Sequence, residues 1–170
     1  GNYHFARELD PPMRNLVVAD LEDYPWPEWE PMLDVMKDRV RKIHEAGFAA
    51  VASYENGSYE MACHLRGREQ FLMDLAADPE FAEALLTRIS IIKARKSAAC
   101  VEAGVDMVYI GDDLGTQNSL VFSPDTWRRL IRPPLVRIID SIRTASADVL
   151  IAYHSCGHVE PLVAELADAG

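Results

Sequence analysis

The stretch Val149-Leu150-Ile151-Ala152-Tyr153-His154-Ser155-Cys156-Gly157-His158-Val159-Glu160-Pro161 decides how this chain is read. Residues 149 to 154 form an apolar, β-branched and aromatic run of strand length, and a polar cluster follows at its end. Strand, ligand-bearing loop and helix is the implied order. Alternation along a strand puts Leu150, Ala152, His154 and Cys156 on one face if extended geometry persists to the cysteine. An imidazole and a thiol then point the same way, both are good donors for Zn²⁺, and strand-end loops carry function in α/β scaffolds. Spacing alone leaves a second reading open, a buried cysteine beside a histidine bonded to backbone, because two ligands do not make a site.

Moving outward, the same order recurs. Leu33, Met36, Val40 and Ile43 repeat at helical spacing, with Pro31 suited to the first turn and Gly47 to the C-terminal cap, so a helix is expected over about 31 to 46. Residues 48 to 54 read as a buried strand and Glu55-Asn56-Gly57-Ser58 as the turn out of it. Residues 59 to 75 are helical in composition. Asp78 and Pro79 are the N-cap and first position of a second helix reaching about Ala103. Residues 105 to 110 form the next strand, and Gly111 to Asn118 the polar loop leaving it. Ser123 and Pro124 open a long helix through about Thr144, with a kink or break expected at Pro133 and Pro134. A last helix covers about 159 to 169.

Glu45-Ala46-Gly47-Phe48 and Glu102-Ala103-Gly104-Val105 share a rhythm in which a glycine ends a helix and a strand begins at once; Asp168-Ala169-Gly170 repeats its first half. Strands separated by helices require parallel, right-handed crossovers. The expected fold is therefore α/β, a partial (β/α)8 TIM barrel, probed against an open doubly wound sheet as the structural alternative. Three strands cannot close a barrel, so other segments or a homo-oligomer are expected to cover the open edges. Residues 1 to 30, which carry Pro11, Pro12, Pro25 and Pro27, read as an extended Pro/Trp-rich arm, and residues 31 to 170 as the barrel domain. Trp26 and Trp29 are expected to pack against the body.

At 170 residues with about half of them apolar, one domain with a real core is the expectation. The formal charge of −10, with basic residues interleaved among acids, argues against nucleic acid or an anionic membrane as partner. No apolar run approaches eighteen residues and no charged-then-apolar leader opens the chain, so neither a membrane span nor secretion is expected. Cys63, Cys100 and Cys156 are odd in number and far apart, which suits a reducing, cytoplasmic compartment.

In a parallel α/β fold the loops 55 to 60, 111 to 118 and 154 to 158 converge on one face. Asp112 and Asp113 are adjacent, so only one of them can face the axis, where a carboxylate binds metal, acts as a base or holds a cationic group. The competing reading has these acids capping backbone amides. Asp112, Asp113 and Glu60 are the candidate catalytic residues, Tyr59 and Gln117 the candidate substrate contacts, and His154 and Cys156 the candidate metal ligands. The helix dipole alone accounts for Glu60 at a helix start. Cys63 and His64 read as packing residues, His158 as a cap, and Arg66 and Arg68 as surface or ion-pair residues.

Taken together the motifs resemble the uroporphyrinogen decarboxylase superfamily, which includes zinc-dependent methylcobamide:coenzyme M methyltransferases. The resemblance is carried by Gly57-Ser58-Tyr59-Glu60 leading to Leu65-Arg66-Gly67, Asp78-Pro79-Glu80-Phe81, Gly104-Val105-Asp106, Gly111-Asp112-Asp113-Leu114-Gly115-Thr116-Gln117, Phe122-Ser123-Pro124 and Tyr153-His154-Ser155-Cys156-Gly157. It covers nearly the whole chain from about residue 20. It implies a (β/α)8 barrel with its site at the strand C-termini and zinc held by a His-x-Cys pair, here His154 and Cys156, with a later cysteine that no residue of this sequence supplies. The implied chemistry is methyl transfer between a corrinoid carried by a partner protein and a thiol or related acceptor, because metal turns a bound thiol into a thiolate. The metal-free decarboxylation of uroporphyrinogen, a tetrapyrrole, is the enzymatic alternative, although its N-terminal arginine signature is not visible. A non-catalytic metal- or ligand-binding module is the alternative of a different class.

Overall fold

The computed structural model describes residues 11–27, 32–54 and 57–170. The expectations for residues 1 to 10, Trp29, Pro31 and the turn residues Glu55 and Asn56 lie outside the described residues. Three strands form one parallel sheet in the order β1 (Val51–Tyr54), β2 (Met107–Gly111) and β3 (Leu150–His154). Val51 stands opposite Met107 and Met107 opposite Leu150, and the register carries through to Gly111 opposite His154.

Each strand is shorter than its apolar run. Phe48 stays exposed, and the backbone before Val51 is held by Asp106, whose carboxylate accepts the Ala50 N–H at 2.7 Å. The helices are α1 (Asp20–Asp23), α2 (Leu33–Glu45), α3 (Ser58–Arg66), α4 (Arg68–Ala77), α5 (Pro79–Glu102), α6 (Pro124–Thr126), α7 (Arg132–Ala145) and α8 (Val163–Ala167). Asp78 caps α5 by accepting the Phe81 N–H at 3.2 Å, with Pro79 in the first turn. The single helix expected over 59 to 75 is two. Gly67 breaks it at φ +90°, and a side chain there would meet Pro11 at 3.0 Å.

The break expected at Pro133 and Pro134 is a π-helical turn, Trp127–Ile131, in which the Arg132 N–H reaches back five residues to the Trp127 carbonyl. The prolines have no N–H with which to continue the α ladder, and the extra residue absorbs the mismatch. The last helix likewise begins with a 3₁₀ turn, Glu160–Leu162, before α8.

One face of the sheet, carrying Ala52, Val108, Ile110, Ile151 and Tyr153, packs under Ala94 and Val101 of α5 and Leu135, Ile138, Ile139 and Ile142 of α7. A fully buried side chain such as Val108 contributes about 1.5–3 kcal/mol. The register places Val51, Ser53, Met107, Tyr109, Leu150, Ala152 and His154 on the other face. That face is open: Val51 is 47% and Leu150 63% exposed. A doubly wound sheet reverses its strand order and carries helices on both faces, whereas this sheet runs in sequence order with α5 and α7 on one side. The architecture is therefore a partial (β/α)8 barrel whose open face is the barrel interior.

A second core joins Tyr59, Phe71, Phe81, Leu85, Leu114 and Trp127 with Met13 and Leu21 of the N-terminal segment. Residues 11–27 do not stand extended. They turn and form α1, Met13 is fully buried, and Trp26 donates its indole N–H to the Leu21 carbonyl at 2.9 Å. Arg66, read as a surface or ion-pair residue, is buried. It pairs with Asp74 at 2.7 Å and donates to the Met13 and Leu16 carbonyls at 2.6 and 2.9 Å.

Candidate metal centre

At the C-terminal ends of β2 and β3 the two departing loops are laced together. The Asp112 N–H donates to the His154 carbonyl at 3.1 Å and the His158 N–H to the Thr116 carbonyl at 2.7 Å. The Leu114 N–H donates to Ser155 Oγ at 3.0 Å, and the Cys156 N–H to Asp113 Oδ1 at 2.9 Å. Two glycines permit this approach. Gly157 takes φ +81°, and a Cβ on it would lie 2.3 Å from the Gly115 carbonyl oxygen; a Cβ on Gly115 would lie 2.6 Å from the His158 nitrogen.

The lacing brings three donors together. His154 Nε2 lies 3.3 Å from Cys156 Sγ and 3.8 Å from Asp113 Oδ1, and the donor atoms of the three residues all lie within 4.8 Å of one another. His154 points from the open face of β3, its ring stacked over Tyr109 at 6.2 Å. The Asp113 carboxylate hydrogen-bonds the thiol of the exposed Cys156 and so raises its pKa, with slight desolvation and the charges of Asp113 and Glu60 acting in the same direction. In a metal-free site the thiol therefore keeps its proton.

The two adjacent aspartates part ways, as alternation along the chain requires. Asp113 faces the histidine and cysteine. Asp112 turns the other way into the start of α3, where it is 4% exposed and accepts the Glu60 N–H at 2.8 Å. Burial pushes its carboxyl up to about 7 against the pull of that hydrogen bond. Asp112 was expected to be a reacting group; its carboxylate is instead enclosed and turned from the three donors, and the amide-capping reading describes it.

Glu60 is half-buried, and burial, then the Asp113 charge, raises its carboxyl. Tyr59 was expected to contact substrate. It is fully buried between Phe71 and Phe122 because the first turn of α3 directs it into the helix layer, so it offers no surface to a ligand. Gln117 stands exposed at the tip of the 111–118 loop, beyond the turn in which Thr116 and Ser119 hydrogen-bond each other. Cys63 is buried, which pushes its thiol up to about 12, and His158 joins the loop lacing through its backbone N–H.

Four contributors to this site carry no signal by residue type alone: Gly57, Gly115, Gly157 and Ser155. The Cys-Gly-His spacing hints at Gly157, since a turn immediately after a strand favours positive φ. A cavity of about 570 Å³ lined by Tyr24, Trp26, Met61, Ile89 and Lys93 lies apart from the three donors.

A parallel sheet in sequence order under α5 and α7 defines the class, a barrel of the (β/α)8 type, and the N,S,O donor cluster lies at the C-terminal ends of its strands. More narrowly, the chain belongs to the uroporphyrinogen decarboxylase (URO-D) family, whose model matches residues 3–170. Over 72 residues it is 32% identical to the methylcobamide:CoM methyltransferase MtaA of Methanosarcina barkeri, a match covering 42% of this chain and 19% of that protein. Its fold is similar to that of a methyltransferase from Methanosarcina mazei, with a TM-score of 0.66 and 23% identity, over 81% of this chain and 39% of that one. The chain thus spans well under half the length of the relatives it matches. Among the described residues no helix is long and apolar enough to cross a membrane.

Proposed function

We propose that this chain forms the metal-holding sector of a barrel enzyme that transfers methyl groups between a corrinoid carrier and a thiol or related acceptor. The observation that carries the reading is the His154, Cys156 and Asp113 cluster. Donors on a tetrahedral Zn²⁺, at about 2.0–2.3 Å from the ion, stand roughly 3.3–3.6 Å apart, and the 3.3 and 3.8 Å separations here approach that spacing. The donor set suits zinc: one imidazole, one sulfur and one carboxylate oxygen. His154 and Cys156 would hold the ion, Asp113 would be a third donor, and further positions would remain for a substrate.

Bound zinc supplies one chemical service, the deprotonation of a coordinated thiol at neutral pH. The chain's own residues prepare for it. Asp113 fixes the Cys156 backbone by accepting its N–H, and Tyr109 supports the imidazole from below. Glu60, raised by burial, stands ready to accept a proton released at the site. The similarity to a protein named methylcobamide:CoM methyltransferase favours methyl transfer over decarboxylation and over a non-catalytic module. A corrinoid protein as partner, a cytoplasmic setting and a homo-oligomer that covers the open sheet edges belong to the same proposal.

Metal analysis and a methyl-transfer assay test it. Purified protein should take up one zinc per chain, Cys156→Ser should weaken uptake at least tenfold, and zinc-loaded protein should demethylate methylcobalamin in the presence of a small thiol. No zinc uptake, or equal uptake by the variant, would refute the metal assignment. Turnover of uroporphyrinogen without methyl transfer would replace the reaction.

A further inference from the structure

We infer that Asp112 is a positioning residue and that Gly57 is its seat: together they lock the start of α3 to the ends of β2 and β3, and so hold Asp113, His154 and Cys156 in register. The functional consequence rests on the metal-site reading above. The lock itself rests on geometry.

Three strand-end segments meet at Asp112. Its carboxylate accepts the Glu60 N–H at 2.8 Å, its own N–H donates to the His154 carbonyl at 3.1 Å, and beside it the Gly57 N–H donates to the Gly111 carbonyl. Position 57 is what the carboxylate demands. A Cβ built on Gly57 would lie 2.0 Å from Asp112 Oδ2, 2.3 Å from Cγ and 2.6 Å from Oδ1. Yet Gly57 has φ −71° and ψ −163°, extended backbone open to any L residue. Glycine is therefore required there by the neighbour and not by its own conformation.

The side chain is 4% exposed and lines a small pocket together with Gly57, Ser58, Lys93, Ser97 and Tyr153, the Lys93 charge acting on it from α5. Because residues 112 and 113 alternate, anchoring one side chain sets the direction of the next. Asp113 is thereby aimed at the Cys156 N–H, and the Asp112 amide pins the carbonyl of the histidine ligand. Supports of this kind one step behind a metal ligand are worth about 10–100-fold in affinity.

Gly57→Ala, Asp112→Ala, their double variant and Asp112→Asn test the inference through two readouts. The first is Co²⁺ affinity with its visible spectrum. The second is the alkylation rate of Cys156 by iodoacetamide in metal-free protein, followed by peptide mass so that the buried Cys63 and Cys100 do not contribute. Gly57→Ala and Asp112→Ala should each weaken Co²⁺ binding about tenfold or more and change the alkylation rate at least about threefold. The double variant should be no worse than Asp112→Ala alone, because the clash has lost one partner, a non-additivity that independent sites do not show. Asp112→Asn, which keeps a carbonyl acceptor for the Glu60 N–H, should restore most of the alkylation rate.

Wild-type behaviour of Gly57→Ala in both readouts, or full additivity in the double variant, would overturn the lock. If wild-type protein takes up no Co²⁺, the metal reading fails, and the alkylation rates still decide whether the lock exists. If Asp112→Ala does not fold, Gly57→Ala against Asp112→Asn carries the same decision.

Discussion

Arg66→Met is expected to destabilise the fold by about 3–5 kcal/mol, the usual cost of leaving a buried charge without its partner. The Arg66 side chain is 8% exposed and that of Asp74 4%. Its Nε donates to Asp74 at 2.7 Å, and one amino group donates to both the Met13 and Leu16 carbonyls. The guanidinium carbon also lies 4.0 Å from the centre of the Phe81 ring. Methionine refills much of the volume but takes the guanidinium donor from the Leu16 carbonyl and one of two donors from the Met13 carbonyl, which still accepts the Leu16 N–H at 3.3 Å; an acceptor left unpaired costs about 1–3 kcal/mol when fully buried, and the cation–π contact forfeited is worth about 0.5–2 kcal/mol. These costs overlap, so their sum overstates the effect. Gln70 also donates to Asp74 at 2.8 Å and limits it.

Against the 5–15 kcal/mol that holds a typical domain, the loss is large. Urea unfolding followed by tryptophan fluorescence should show the midpoint fall, with earlier release of residues 11–27 visible in hydrogen exchange. Adding Asp74→Leu should recover part of the loss, since an apolar pair is often as stable as the buried ion pair it replaces. A loss below about 1 kcal/mol, or no recovery in the double variant, would refute the view that this ion pair fastens the N-terminal segment.

Asp112, raised to about 7 by burial, holds its proton more tightly in the folded than in the unfolded chain. Its contribution is therefore fully present below about pH 4 and is lost as pH rises through about 7; Asp112→Asn should flatten that part of the stability profile, and an unchanged profile would contradict the assignment. Zinc affinity should rise with pH, because binding displaces a proton from a Cys156 thiol that Asp113 holds above its ordinary range; calorimetry in buffers of different ionisation enthalpy should detect the released proton. Gly157→Ala should cost about 1–3 kcal/mol and lower zinc uptake, since its φ of +81° and the Gly115 carbonyl both oppose a side chain; wild-type uptake would show that the loop lacing does not matter.

The strands and helix caps were legible because each rests on a local rule. Gly47 and Gly104 end helices at positive φ, Asp78 caps α5, and alternation placed His154 and Cys156 on one side. The resemblance to the family was likewise carried by short motifs, and the family model matches nearly the whole chain. What was not legible depends on contacts distant in sequence. Gly67 splits the helix at φ +90° in a place where a side chain would also meet Pro11, and Tyr59 is taken by Phe71 and Phe122. The division of labour between Asp112 and Asp113 is set by α3, more than fifty residues earlier. Gly57 reads as an ordinary turn residue until the carboxylate behind it is seen.

X-ray absorption at the zinc edge of the loaded protein reads the ligand set itself. One sulfur scatterer at about 2.3 Å with nitrogen and oxygen scatterers at about 2.0–2.2 Å is expected, with loss of the sulfur shell in Cys156→Ser. A shell of oxygen and nitrogen alone in the unaltered protein would contradict that ligand set.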